Sequence, residues 1–274
     1  MEPGLTVQNR EAEFWDKVAA GAAAEDALLR VELTDGHDHS MPWLADLGMD
    51  DFTAALVQHL DVQPGMRILD MGCGQGFLSA ALAHRGATML GIDISPRSIE
   101  VCRNRAVLSG VQDRCTFQVM DCQALEVEDA SLDAVTGCFV LHHLDLAKVA
   151  REVRRVLKPN GRSAFIETMG LNPALMAARA LLPGKFGIEK ASSEDEYPLT
   201  RARMNMLRQN FDGQVGLGFP QVVFLRMGGY LPFLQGSMAT RALKAADRAL
   251  ARIPPCRSLG YYGLVTMDRD KGSP

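Results

Sequence analysis

A glycine-rich turn after the first predicted strand, Arg67–Met71, is the strongest candidate for holding a ligand. The turn combines an aspartate, three glycines at alternate positions and a cysteine: Asp70, Gly72, Cys73, Gly74 and Gly76. Glycine lets a ligand approach the backbone, and the N-terminus of the helix predicted to follow offers free N–H groups. The third glycine comes one residue too early for the Gly-x-Gly-x-x-Gly pattern of dinucleotide sites. The turn therefore favours a nucleoside ligand of another kind.

Acidic residues also close the next two predicted strands. Asp93, followed by Ile94, ends the second strand, where a carboxylate can accept hydrogen bonds from both hydroxyls of a ribose. Asp121 ends the third strand, and with Cys122 it can read the edge of an adenine. Asp70 can take a cationic ammonium group. Each aspartate taken alone could equally be a helix cap or a turn residue, but three at the ends of successive strands favour a ligand site.

Alternating strands and helices must position these residues. Strands are predicted at Arg67–Met71, 88–92, 115–120, 134–139 and 162–167. Helices are predicted between them at 76–85, Pro96–Leu108 and 146–157, the second with Ser95 as its N-cap. The strand cores are almost continuously apolar, which is typical of strands buried on both faces. The pattern predicts an α/β fold, a Rossmann-like and mostly parallel sheet with helices on both faces.

Four segments are predicted along the chain. They are an N-terminal helical lid over 1–60, a cofactor-binding core over 61–168, a helical cap for the substrate over 169–220, and C-terminal strands and a helix over 221–274. Outside the core, helices are predicted at 10–30, Met49–Leu60, 171–182, 199–210 and 231–253, and strands at 222–225 and 260–267. The cap and the last helix are rich in residues that either line an apolar pocket or fill ordinary helix cores, among them Met204, Met206, Leu207, Met227 and Met238.

The composition of the chain limits the kinds of molecule that it is expected to bind. The chain has 274 residues and a formal net charge of −4, so nothing attracts it broadly to nucleic acid or to an anionic membrane. Its six cysteines form no Cys-x-x-Cys pair, which is typical of a reducing, cytoplasmic protein. Its N-terminal residues do not predict a signal peptide, and no apolar run reaches membrane-spanning length. The expected partner is a small-molecule substrate, and the expected assembly, if any, is a homodimer.

As a set, the segments 68–76, 91–95, 121–122, 132–135 and 141–144 resemble class I S-adenosylmethionine-dependent methyltransferases, in particular the small-molecule branch that includes ubiquinone and menaquinone biosynthesis enzymes. The resemblance implies a seven-stranded sheet whose last two strands form an antiparallel hairpin. It also implies roles in binding S-adenosylmethionine: the glycine turn for the methionine and ribose parts, Asp93 for the ribose, Asp121 and Cys122 for the adenine, and Cys138 and Phe139 beneath the sulfonium.

Three residues near the same sheet edge are candidate bases. His142 and His143 follow the fourth predicted strand, and Glu167 ends the fifth. A hydroxyl or thiol acceptor benefits from a base, whereas other acceptors need it less. Each candidate has a structural alternative, because the histidines can cap or pack the next helix and Glu167 can serve as a hydrogen-bonding residue.

The segment His37–Asp38, continued by His39, invites a metal interpretation. No third or fourth ligand is identifiable, so no metal site is predicted. A place in the N-terminal lid is favoured instead, together with Trp15, Met41 and Trp43, although core packing accounts for these apolar side chains as well.

The sequence thus predicts an S-adenosylmethionine-dependent methyltransferase that acts on a small, partly hydrophobic metabolite by in-line displacement, with O- or N-methylation favoured over C-methylation. Two rivals stay open: a nucleotide-dependent oxidoreductase, which the glycine spacing disfavours, and a noncatalytic protein that keeps the cofactor fold as an interaction module.

Overall fold

The computed structural model describes residues 7–22, 30–31, 33–34, 37–38, 49–181, 196–230 and 237–271. Its centre is a seven-stranded sheet with the strands β1 Arg67–Met71, β2 Thr88–Asp93, β3 Cys115–Val119, β4 Leu132–Cys138, β5 Leu157–Thr168, β6 Gln214–Gly218 and β7 Tyr262–Asp268. Their order across the sheet is β3-β2-β1-β4-β5-β7-β6. Strands β1 to β5 pair in parallel, and β7 is antiparallel to both of its neighbours. The predicted Rossmann-like sheet with an antiparallel last strand is confirmed.

Helices cover both faces of the sheet. They are α1 Val7–Ala22, α2 Met49–Leu60, α3 Phe77–His84, α4 Pro96–Leu108, α5 Leu146–Val156, α6 Pro173–Leu181, α7 Arg201–Asn210 and α8 Ser237–Ala251. Successive strand residues point to opposite faces, so Ile68 joins an apolar cluster with α2, α3 and α4, whereas Leu69 joins one with α5 and α7. Burial on both faces explains why the strands read as continuous apolar runs.

The prediction of a strand at 222–225 is wrong. Val222 and Val223 are fully buried but belong to no strand, and Leu225–Tyr230 is a 3-10 helix. The strand that pairs with β7 is β6, which lies inside the range predicted for the cap. As an edge strand β6 is only partly buried, so it lacks the apolar run on which the prediction relied. The antiparallel hairpin itself is present, with Leu217 opposite Val265.

Other boundaries differ in smaller ways. Residues 159–161, between the helix predicted at 146–157 and the strand predicted at 162–167, lie within β5, where Leu157 pairs with Leu132 and the register then shifts so that Arg162 pairs with Ala134. Asn160 accommodates this irregularity with a φ of 65°. Near the N-terminus, Leu33–Thr34 and His37–Asp38 form a short antiparallel ladder. His39, Met41 and Trp43 lie outside the described residues, as do parts of the helices predicted at 10–30, 171–182 and 231–253.

Candidate active site

A cavity of about 500 Å³ opens where β1, β2, β3 and β4 end. Its wall includes the predicted cofactor residues except Gly76: Asp70, Gly72, Cys73, Gly74, Asp93, Ile94, Asp121, Cys122, Cys138 and Phe139. Residues of α1 form a further part of the wall. Parallel strands bring the residues at their carboxyl ends to one edge of the sheet, and the α/β order of the chain therefore assembles this cavity.

The three glycines of the turn differ in what they leave room for. All three have positive φ angles, 61° at Gly72, 51° at Gly74 and 77° at Gly76. A Cβ atom at Gly72 would lie 2.5 Å from Cγ2 of Val140, and one at Gly76 would lie 2.9 Å from Sγ of Cys102. At Gly74 the nearest atom would be 4.0 Å away. Packing thus requires glycine at the outer two positions, while Gly74 leaves open space at the cavity wall, where a ligand can approach the backbone.

Asp93 joins the glycine turn to the end of β2. Its Oδ2 accepts the N–H of Gly74 at 2.9 Å, and its Oδ1 accepts the N–H of Ser95 at 2.9 Å. Burial raises the pKa of Asp93, while these backbone donors oppose the rise. Each carboxylate oxygen has a second lone-pair direction, so Asp93 keeps the capacity to accept from a pair of ligand hydroxyls.

Asp70 is buried at the end of β1, where the Ser79 hydroxyl donates to its Oδ2 at 2.7 Å. Burial raises the pKa of this carboxyl to about 7. Five residues of the wall are acidic: Glu11, Asp70, Asp93, Asp121 and Asp145. Neither lysine nor arginine occurs among the described residues that line it. Such a wall favours a cationic ligand over the anionic pyrophosphate of a dinucleotide.

The far end of the cavity is formed by the turn after β3. Asp121 accepts the N–H of Gln123 through Oδ1 at 2.8 Å, which fixes this turn. Met120 and Cys122 beside it are buried. Across the cavity Phe139 has a φ of 58°, an unusual conformation for a bulky residue. Its N–H donates to the carbonyl of Ile166 at 2.8 Å, and this bond helps to hold the conformation.

Glu167 and His142 form a buried pair that holds the segment after β4. Oε1 of Glu167 accepts the N–H groups of Val140 at 2.9 Å and Leu141 at 2.7 Å. Oε2 of the same carboxylate lies 2.7 Å from Nδ1 of His142, whose Nε2 is 3.6 Å from Oε1 of Glu196. Neither His142 nor Glu167 belongs to the cavity wall. Two of the three predicted bases therefore support the site from outside the wall.

His143 is the predicted base that the structure places in the wall. Its Nδ1 lies 3.2 Å from Oε2 of Glu11, a residue of α1. Trp15, also on α1, meets the His143 ring edge-on at 5.8 Å between centroids and donates its Nε1–H to Glu11 at 3.0 Å. Sequence reasoning did not identify Glu11, because one acidic residue on an amphipathic helix carries no local signal of its partner.

The residues of the cap and the last helix, for which the sequence leaves both pocket lining and helix-core packing open, do not line the cavity where the structure describes them. Met204 and Leu207 of α7 are buried in the cluster beside α5, and Met227 packs against the other core cluster. Met206 and Met238 are exposed. No described residue beyond Asp145 lines the cavity. Met204 and Leu207 follow the helix-core interpretation, since α7 packs directly against α5.

The described part of the chain holds no group of three or more histidine, cysteine, aspartate or glutamate side chains placed to bind a metal ion. None of its helices combines the length and apolar character needed to cross a membrane.

The fold and the acidic, glycine-lined cavity define a Rossmann-like protein that takes a cationic nucleoside cofactor. A family model described as "Methyltransferase domain" matches residues 69–165. The chain is 34% identical over 183 residues to methyltransferase GfsG of Streptomyces halstedii, covering 62% of this chain and 66% of that one. It is 31% identical to 27-O-demethylrifamycin SV methyltransferase of Amycolatopsis mediterranei, covering 59% and 68%. The chain belongs to the S-adenosylmethionine-dependent methyltransferase family, and S-adenosylmethionine is its cofactor.

Other relatives match shorter stretches or the fold alone. A ubiquinone biosynthesis O-methyltransferase of Leptothrix cholodnii is 39% identical, covering 40% of this chain and 46% of that one. The chain spans between 35% and 68% of the curated relatives compared. The solved geranyl diphosphate C-methyltransferase of Streptomyces coelicolor aligns with a TM-score of 0.59 at 17% identity, over 98% of this chain and 100% of that one. The [4+2]-cyclase SpnF aligns with a TM-score of 0.59 at 18% identity, over 97% of both chains.

Proposed function

We propose that this protein transfers a methyl group from S-adenosylmethionine to a hydroxyl of a small, partly apolar metabolite. The observation that carries the proposal is the position of His143, a potential proton acceptor in the wall of the cofactor cavity. Two relatives whose names specify oxygen, the ubiquinone biosynthesis O-methyltransferase and the 27-O-demethylrifamycin SV methyltransferase, support a hydroxyl acceptor.

The residues of the wall fit this cofactor. Open space at Gly74 admits a ligand against the backbone, and the acidic wall suits a ligand with a positively charged sulfur and an ammonium group. We assign the ribose to Asp93, the adenine to Asp121 and Cys122, the methionine part to Asp70 and the glycine turn, and the sulfonium neighbourhood to Cys138 and Phe139. When bound, S-adenosylmethionine supplies an electrophilic methyl group, and its sulfur keeps the electron pair as S-adenosylhomocysteine.

The protein's own contribution is to position the acceptor, take its proton and exclude water. Nε2 of His143 accepts the proton of the acceptor hydroxyl while that oxygen forms its bond to the methyl carbon. Trp15 and the other α1 residues of the wall cover the reacting groups in this proposal. Alignment of acceptor and methyl group within one cavity supplies the rest of the rate enhancement.

Apolar side chains in the wall support a partly apolar acceptor. Val7 and Val18 of α1, Phe139 and Leu144 stand among the acidic groups. The acidic wall disfavours a nucleic acid as acceptor, since phosphates would be repelled. We also propose a cytoplasmic location, which the six free cysteines support.

Titration calorimetry with S-adenosylhomocysteine, followed by methyl transfer to a panel of phenols, alcohols, amines and carbon nucleophiles, tests the proposal. We expect binding, and turnover on hydroxyl compounds. Failure of the folded protein to bind S-adenosylhomocysteine would remove the cofactor assignment, and binding of NAD(P) instead would support the oxidoreductase alternative. Transfer to amines or carbon alone would overturn the hydroxyl assignment. Binding without turnover on any class would favour a noncatalytic module.

A further inference from the structure

Glu11 is a buried carboxylate in the wall of the cavity that the assigned cofactor contacts do not use. It is 7% exposed, although it lies on the N-terminal helix α1. Its Oε2 reaches two groups, the indole N–H of Trp15 on its own helix and Nδ1 of His143 on the segment after β4. A carboxylate is costly to bury unless polar partners compensate it, so its location calls for a role.

The contact with His143 joins two parts of the chain that are far apart in sequence. The distance between Nδ1 and Oε2 is 3.2 Å, and both side chains are about one-tenth exposed. Nδ1 itself is buried and makes no hydrogen bond of regular geometry with any described group. The Glu11 carboxylate lies within ion-pair distance of that nitrogen. Glu11 is therefore placed to orient the imidazole through Nδ1.

We propose that Glu11 is the positioning residue for His143, holding it in the tautomer with a proton on Nδ1 so that Nε2 is free to take a proton from a hydroxyl. This inference rests on the proposed function. A neutral imidazole carries one donor and one acceptor nitrogen, and a carboxylate beside one nitrogen selects the tautomer that donates to it. A carboxylate that orients a histidine base is a general device of acid–base catalysis.

Because Glu11 lies on α1, its contact with His143 depends on the packing of α1 against the rest of the cavity wall. Asp16 of α1 accepts the N–H of Arg97 at 3.2 Å and contacts the Ser95 hydroxyl, at the start of α4. Ala19 of α1 also packs against Val101 of α4. Glu11 therefore meets His143 while α1 is docked across the wall. A conformation in which α1 is not docked would leave His143 without this partner.

Nitrogen-15 NMR of histidine-labelled protein reads the tautomer directly, with His143→Gln used to assign the signal and S-adenosylhomocysteine present at saturation. We expect the Nδ1–H tautomer in the native protein. Glu11→Gln should retain it, because an amide oxygen also accepts from Nδ1–H, whereas Glu11→Ala should shift the signal towards the Nε2–H tautomer. Glu13→Ala, an exposed change on the same helix, is the matched control and should leave the signal unchanged.

If Glu11 has a purely structural role, its substitution should lower the stability of the protein, but His143 should have the same tautomer in Glu11→Gln and in Glu11→Ala. Identical tautomers in these two variants, or an Nε2–H tautomer in the native protein, would overturn the inference. The NMR result needs no acceptor, so it is distinct from a failure of the hydroxyl panel, which would overturn only the proposed function. With an acceptor in hand, Glu11→Ala should lower kcat about 10- to 100-fold and change the KM for S-adenosylmethionine little.

Discussion

Nδ1 of His142 lies 2.7 Å from Oε2 of Glu167, and both side chains are almost fully buried. The other oxygen of Glu167 accepts two backbone N–H groups of the same segment. One carboxylate thus fixes the chain that carries both Phe139 and His143 into the cavity wall. The two neighbouring histidines consequently have different surroundings. His142 contacts the buried Glu167, whereas His143 lies in the cavity wall.

Replacing Glu167 should therefore damage the fold more than a surface change does. Glu167→Ala leaves the N–H groups of Val140 and Leu141 and the ring of His142 without their acceptor. We expect a loss of about 3–5 kcal/mol in the free energy of unfolding, the range for breaking a buried pair. Urea denaturation measures it, and Glu126→Ala, at an exposed position, is the control. A loss below about 1 kcal/mol would contradict this role for Glu167.

A pair of glycine substitutions separates backbone strain from steric clash. Gly72 and Gly110 have φ angles of 61° and 70°, but a Cβ at Gly110 would meet no atom within 4 Å, whereas one at Gly72 would meet Val140. Gly110→Ala should cost about 1 kcal/mol of stability, and Gly72→Ala should cost about 1–3 kcal/mol more. Adding Val140→Ala to Gly72→Ala should recover part of this difference in thermal unfolding. Equal costs at the two glycines would show that the Val140 contact is unimportant.

Asp93→Ala should weaken the binding of S-adenosylhomocysteine. The change leaves the N–H groups of Gly74 and Ser95 without their acceptor and removes the group assigned to the ribose. We expect Kd to rise about 10- to 100-fold, corresponding to about 1.4–2.8 kcal/mol. Calorimetric titration measures the change, and Asp113→Ala, at an exposed position away from the cavity, should bind as the native protein does. An unchanged Kd in Asp93→Ala would remove Asp93 from the site.

The pKa of Asp70 gives the unliganded protein a distinct pH dependence. Burial raises this pKa from 3.8 to about 7, so between these values the folded protein holds a proton that the unfolded chain has lost. The contribution of Asp70 to stability thus falls as pH rises through this window, by at most about 1.4 kcal/mol per pH unit, and is level above it. Asp70→Asn should abolish this dependence.

The measurement is the free energy of unfolding of both proteins from pH 4 to pH 8. Their difference should grow in favour of Asp70→Asn up to about pH 7 and then stay constant. Asp113→Asn should instead run parallel to the native protein over the whole range. Parallel curves for Asp70→Asn would mean that Asp70 is ionised throughout.

Local patterns in the sequence were sufficient for most of the fold and for one side of the site. The glycine turn follows directly from Asp70, and strand alternation alone brings Asp93 and Asp121 to the same sheet edge. Such features depend on short segments and on the geometry of parallel strands, both of which a sequence displays. The structure accordingly gathers these residues around one cavity.

Features that depend on tertiary packing could not be predicted from the sequence. Nothing near Glu11 indicates a contact with His143, because only the docking of α1 brings the two together. The sequence also does not distinguish His142 from His143, since the choice depends on which ring faces Glu167. The edge strand β6 contains two glycines and is partly exposed, whereas the buried Val222 and Val223 resemble a strand without forming one.

The acidic residues of the cavity wall also affect how readily the protein releases S-adenosylhomocysteine after methyl transfer. S-adenosylmethionine has one more positive charge than S-adenosylhomocysteine, because its sulfur becomes neutral once the methyl group has left. The carboxylates of the wall attract the charged form more strongly, and the low dielectric of a covered cavity enlarges that preference. Methyl transfer therefore weakens the binding of the S-adenosylhomocysteine that it produces. We expect turnover to tolerate accumulated S-adenosylhomocysteine better than a cavity with a neutral wall would.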